Sequence, residues 1–125
     1  MDQLCGFFSC GPDAGRQARG LLRRITPRLS PADMDVASLV VTELVTNAVR
    51  YGCKGPPGQI MVALSRKVGR LRIEVAQPEP LFDLDEVRMR RPGKERGWGV
   101  LLIDRLTESW GVGTSVVWAE IAVTN

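Results

Sequence analysis

A chain of 125 residues, 44% hydrophobic and 25% charged, has the make-up of an ordinary globular protein, with length for a modest core and no bias towards disorder. No apolar run approaches the roughly 20 residues of a membrane span, and the opening MDQLCGFFSCGPD has no basic stretch leading into a long apolar one, so neither anchor nor secretory signal is expected. The net charge is +3 without a basic block of five or more, and the aromatics are few and scattered; the arginines therefore read as a solvated surface and not as a nucleic-acid interface.

Phe7–Cys10 (FFSC) predicts a short leading strand, closed by a turn at Gly11-Pro12. Ala14, Ala18, Leu21, Leu22 and Ile25 then recur at helical spacing among Arg16, Arg19, Arg23 and Arg24, and Pro27 ends that helix. The arginine-rich face of this helix reads equally as solvated surface or as a docking face for a partner. Ser30 follows as a suitable N-cap, Pro31 fits the first helical position, and Asp33 stands where a capping-box acid belongs. This second helix is expected to run to about Tyr51, with Gly52 as a left-handed residue at its end.

GPPG, Gly55 to Gly58, reads as a turn into a β-rich second half. Ile60, Val62 and Leu64 alternate, as do Leu71, Ile73 and Val75, and a short link containing Gly69 makes these an antiparallel hairpin. Gln77 to Gly97 reads as a loop with a helical turn near Leu84 to Met89. Its length, about 20 residues, suits a lid or binding loop. Val100 to Leu106 predicts a helix and Val116 to Val123 a final strand. Residues 1–125 are thus expected to form a single α+β domain, a two-layer sandwich with helices on one face of a mostly antiparallel sheet. Cys5, Cys10 and Cys53 are odd in number and without metal-like spacing, and there is no histidine; free thiols in a reducing cytoplasm are the expectation.

Two segments carry chemistry. On a helical wheel for the second helix, Val40, Glu43 and Asn47 fall within about 40° of Val36, at one margin of the apolar arc built by Ala37, Val41, Leu44 and Ala48. A Glu/Asn pair one turn apart is either a plain surface contact or half of a site for a hard cation, since magnesium favours carboxylate and amide oxygens and keeps much of its water. In ERGWGVLLIDRL, Gly97 and Gly99 stand just before an apolar helix. Glycines there let backbone N–H groups approach an anion at the helix N-terminus, although a plain turn has the same look. Trp110 reads as core; the role of Trp98 stays open.

TELVTNAVRYG resembles the N-box of the GHKL, or Bergerat-fold, ATPase superfamily. The ending GWGVLLIDRLTESWGV…SVVWAEI is similar to the branch of anti-sigma-factor serine kinases and their stand-alone ATP-binding relatives. The resemblance implies ATP and Mg²⁺ as cofactors. Asn47 matches the asparagine that links magnesium to the ATP phosphates, and Glu43 matches the acid that acts as general base. Gly97 and Gly99 match the phosphate-contacting end of the ATP lid, and the resemblance counts Trp98 and Val100 beside them among the cofactor-binding positions. It further implies a cytoplasmic protein serine/threonine kinase that phosphorylates an anti-sigma-factor antagonist, holds a sigma factor, or both, with no direct role for nucleic acid or membrane. A homodimer is compatible with this reading.

One position departs from the pattern. The family carries an aspartate after the strand LRIEV, whose carboxylate accepts from the adenine amino group; this chain has Gln77 there. The amide oxygen of Gln77 can still accept, but it is uncharged, one carbon further out and free to present its NH₂ instead. The alternative function is therefore a non-catalytic interaction module with an impaired nucleotide site. A detached sensor histidine kinase fragment fits less well, because the chain has no histidine to phosphorylate.

Overall fold

The structure, a computed structural model, describes residues 2–53, 58–77, 102–113 and 115–124. Strand β1 (Gln3–Ser9) leads into helix α1 (Ala14–Arg19), a 3₁₀ turn (Gly20–Arg24) and the long helix α2 (Pro31–Gly52). The hairpin β2 (Gln59–Lys67) and β3 (Arg70–Ala76) follows, then a helical stretch at 102–106 and strands β4 (Ser109–Val112) and β5 (Val116–Ala122). The strands form one sheet in the order β1-β2-β3-β5-β4, with every neighbouring pair antiparallel. The α+β expectation stands.

Alternation decides which face of the sheet is covered. Ile60, Val62 and Leu64 of β2, Leu71, Ile73 and Val75 of β3, and Val117, Ala119 and Ile121 of β5 are all buried. They share one core with Ala14, Ala18, Leu21, Leu22 and Ile25 from the first helical region and with Val40, Val41, Leu44, Val45 and Ala48 from α2. Leu64 lies opposite Ile73, and Ile73 opposite Ala119, so the inner rows of three strands line up beneath the helices. The other face carries polar partners: Arg72 Nε donates to Glu74 Oε2 at 2.7 Å, and the Arg72 guanidinium lies 4.4 Å from the centre of the Trp118 ring.

Several local expectations change. Strand β1 begins at Gln3, four residues before the expected Phe7, because its register with β2 runs unbroken from Gln3↔Ser65 to Ser9↔Gln59. The first helix passes into a 3₁₀ turn at Gly20, whose backbone favours the α-helix little. Ser30 caps α2 as expected, its Oγ accepting from Asp33 N–H at 3.1 Å. Gly52 is not the left-handed terminator: the helix includes it, and Cys53 ends the helix in an extended conformation. Gly69, at φ +77°, makes the β2–β3 turn. Strand β4 was not expected, since SWGV is short and interrupted by Gly111. That glycine is required by its neighbour, for a Cβ there would come within 2.8 Å of the Trp118 ring.

The cysteine expectation is corrected. Cys10 and Cys53 form a disulfide with Cα atoms 6.0 Å apart, and only Cys5 is free. The two are 43 residues apart in sequence, and the end of β1 meets the end of α2 only in the fold. Trp110 packs against the core, with Nε1 donating to Asp104 Oδ1 at 3.0 Å. No helix among the described residues is long and apolar enough to cross a membrane. The expected lid with its turn at Leu84 to Met89, the turn at 55–57, and Gly97, Trp98, Gly99 and Val100 lie outside the described residues.

Candidate functional site

Helix α2 holds Glu43 and Asn47 because the rest of its inner face is locked. Val40, Val41, Leu44, Val45 and Ala48 are at most 1% exposed, which fixes the rotation of the helix against β3 and β5. Glu43 is left half-buried at the edge of that face. Asn47 sits deeper than the wheel predicts, at 8% exposure, as one of few polar groups among the buried described residues. Burial pushes the Glu43 carboxyl above the ordinary carboxylate range, and the positive charge of Arg50 pulls in the opposite direction. A carboxylate with a raised pKa is a better proton acceptor near neutral pH than an exposed one.

Gln77 follows β3 and is tied to the residue before β5, its backbone N–H donating to Ser115 O at 2.9 Å. The side chain is 6% exposed and turns under the last turns of α2. Its Nε2 donates to Ala48 O at 2.7 Å and to Cys53 Sγ at 3.2 Å. Both partners can only accept here, a carbonyl oxygen and a disulfide sulfur, so they fix which end of the amide carries the nitrogen. The expectation that Gln77 is free to present its NH₂ is therefore corrected. Its Oε1 is buried and has no hydrogen-bond partner among the described residues.

The structure thus brings Gln77 against the helix turn that bears Asn47, with Glu43 one turn earlier. An acceptor buried without a donor among the described residues suits a ligand carrying an amino group, such as the exocyclic nitrogen of adenine, because an unmade buried hydrogen bond is unfavourable. For a metal the donor set is leaner: no group of three or more His, Cys, Asp or Glu among the described residues could hold an ion. One carboxylate and one amide oxygen fit magnesium that draws its other ligands from water and phosphate. Sequence reasoning missed two participants, the Ala48 carbonyl and Cys53. The first is a backbone atom with no side-chain signature. The second directly follows the helix, and only its position there could have drawn attention to it.

Comparison with known proteins bears on this arrangement. The profile of the histidine kinase-like ATPase domain matches residues 8–118. No match was found among curated proteins. A similar solved structure is that of the RsbU and RsbW domains of Rv1364c from Mycobacterium tuberculosis, with a TM-score of 0.67 at 19% identity. The match covers 99% of this chain and 32% of that one, so this chain spans about a third of its length, and at such identity the likeness is one of fold. An ATPase profile implies ATP as the ligand, and it runs through α2 and β3 and ends within β5, the elements that bear or hold Glu43, Asn47 and Gln77. The chain belongs to the histidine kinase-like ATPase domain family.

Proposed function

We propose that the chain is an ATP-binding regulatory protein similar to anti-sigma-factor serine/threonine kinases, which phosphorylates an antagonist protein, sequesters a sigma factor, or both. The observation that carries the nucleotide reading is the buried Oε1 of Gln77, without a partner among the described residues, beside the Asn47 turn of α2. Family membership supports ATP, and the fold shared with a structure containing an RsbW domain supports the regulatory setting. In this reading Gln77 Oε1 accepts from the adenine amino group. The amide oxygen of Asn47 would hold the metal, and the Glu43 carboxylate takes the proton of a serine or threonine hydroxyl or of a water. Magnesium, when bound with ATP, supplies the positive charge that offsets the phosphates.

The competing reading is an interaction module that no longer uses ATP, and the exchange of the family aspartate for Gln77 favours it. Calorimetric titration of the parent with Mg-ATP separates the two, a parent that binds none at millimolar concentration being the module, and Asn47→Ala tests the site. If Asn47 serves the metal, the variant loses at least about tenfold in Mg-dependent ATP affinity, the value of one charge-assisted contact, while its far-UV circular dichroism stays that of the parent. A folded variant with parental affinity contradicts the assignment of Asn47.

A further inference from the structure

Gln77 is oriented by two acceptors, and one of them belongs to a covalent bond that can be broken. The Ala48 carbonyl is part of α2, 2.7 Å from Nε2. The other acceptor, Cys53 Sγ at 3.2 Å, is held in position by its bond to Cys10, which anchors it to the end of β1. An amide nitrogen has two N–H groups, and here both have partners whose places are set independently of the Gln77 side chain. That leaves Oε1 as a pure acceptor. Both cysteines are half-buried, so a small thiol reagent can reach the bridge.

We propose that Cys53 is a positioning residue for Gln77, and that the Cys10–Cys53 bridge makes base recognition in the nucleotide site responsive to redox state. The inference rests on the nucleotide reading of that site. The step requires a dithiol reductant. Its thiolate attacks one sulfur of the bridge to give a mixed disulfide, and its second thiol then displaces the protein thiolate. The protein gains two electrons and two protons as two thiols, and the reductant leaves as its own disulfide. Cys53 then changes in two ways. Its side chain is released from β1 and gains rotamer freedom, and its sulfur acquires a proton of its own, becoming a weak donor as well as an acceptor. The second N–H of Gln77 loses its fixed partner, and the amide is no longer confined to one presentation. An acceptor-only amide favours adenine, which offers an amino group, over guanine, which offers a carbonyl at the same edge. A loosened amide favours adenine less.

A crosslink that merely stabilises the fold would act on all nucleotides alike, so the test is the ratio between two of them. Mg-ATP and Mg-GTP are titrated into the oxidised protein, into protein reduced with dithiothreitol, and into Cys10→Ser, which retains the Cys53 sulfur without the bridge. In parallel, the side-chain amide protons of Gln77 are followed by NMR without nucleotide. Reduction should weaken ATP by about three- to tenfold, roughly one hydrogen bond's worth, while changing GTP little. Reoxidation should restore the ratio. Cys10→Ser should resemble the reduced protein and ignore dithiothreitol, and the Gln77 amide signals should shift and exchange faster on reduction. An ATP/GTP ratio equal in both states, or an equal loss for both nucleotides, overturns the proposal. Absence of binding in either state overturns the nucleotide reading beneath it. Gln77 signals unmoved by reduction overturn the coupling alone.

Discussion

An aspartate at position 77 would accept hydrogen bonds but donate none, whereas Gln77 donates twice into the end of α2 and still leaves one acceptor over. The exchange therefore adds contacts to the helix terminus and still leaves an uncharged acceptor at this position. It also means that replacing Gln77 by aspartate sets a carboxylate towards the Ala48 carbonyl, an arrangement of two acceptors with no proton between them. Glu43 is the other residue whose behaviour follows from its surroundings. Its folded carboxyl holds a proton more tightly than the unfolded chain does, chiefly through burial. Its contribution to stability is thus fully present below the unfolded carboxylate range and is lost as the pH rises through the folded value. Glu43→Gln removes that dependence. Thermal unfolding should show the variant gaining on the parent from pH 4 upward, while ATP remains bound and phosphoryl transfer or slow hydrolysis falls by about 10²–10⁴-fold. Parental turnover in Glu43→Gln would assign the carboxylate another task.

At the scale of elements, legibility followed the strength of local chemistry. Helix α2 was readable at its start because Ser30, Pro31 and Asp33 each meet a stereochemical need of a helix N-terminus. Asp33 does more than cap: its Oδ2 accepts from Thr124 N–H at 2.7 Å, which holds its carboxyl below the ordinary range and ties the helix start to the segment after β5. The end of α2 was misread because its termination depends on Gln77 and on the bridge at Cys53, both remote in sequence. Strand β4 was invisible for a similar reason. Its glycine is set by a neighbour on the next strand, Gly111 standing opposite Trp118. Gly111→Ala should displace that ring and destabilise the fold by about 1–3 kcal/mol, seen as a lower unfolding midpoint together with a changed tryptophan emission. An unchanged midpoint would show that β4 gives way without loss.

At the scale of the whole molecule, the two-layer arrangement is what brings separate motifs together in a candidate site. The apolar faces of α2, β2, β3 and β5 could be read from period alone, and they oblige α2 to lie across the sheet with the Asn47 turn near the end of β3. The family resemblance pointed to Glu43, Asn47 and Gln77 from sequence. The orientation of the Gln77 amide was not legible, because it is decided by a main-chain carbonyl and a sulfur whose bond to Cys10 forms only when β1 and α2 come together. Adenine recognition through that amide is the central claim, and it is tested most directly by titrating the oxidised parent protein with Mg-ATP and Mg-GTP under identical conditions. The account predicts that ATP binds and that GTP, which would set a carbonyl against Oε1, binds at least about tenfold more weakly. Equal affinities, or no binding of either nucleotide at millimolar concentration, would contradict it.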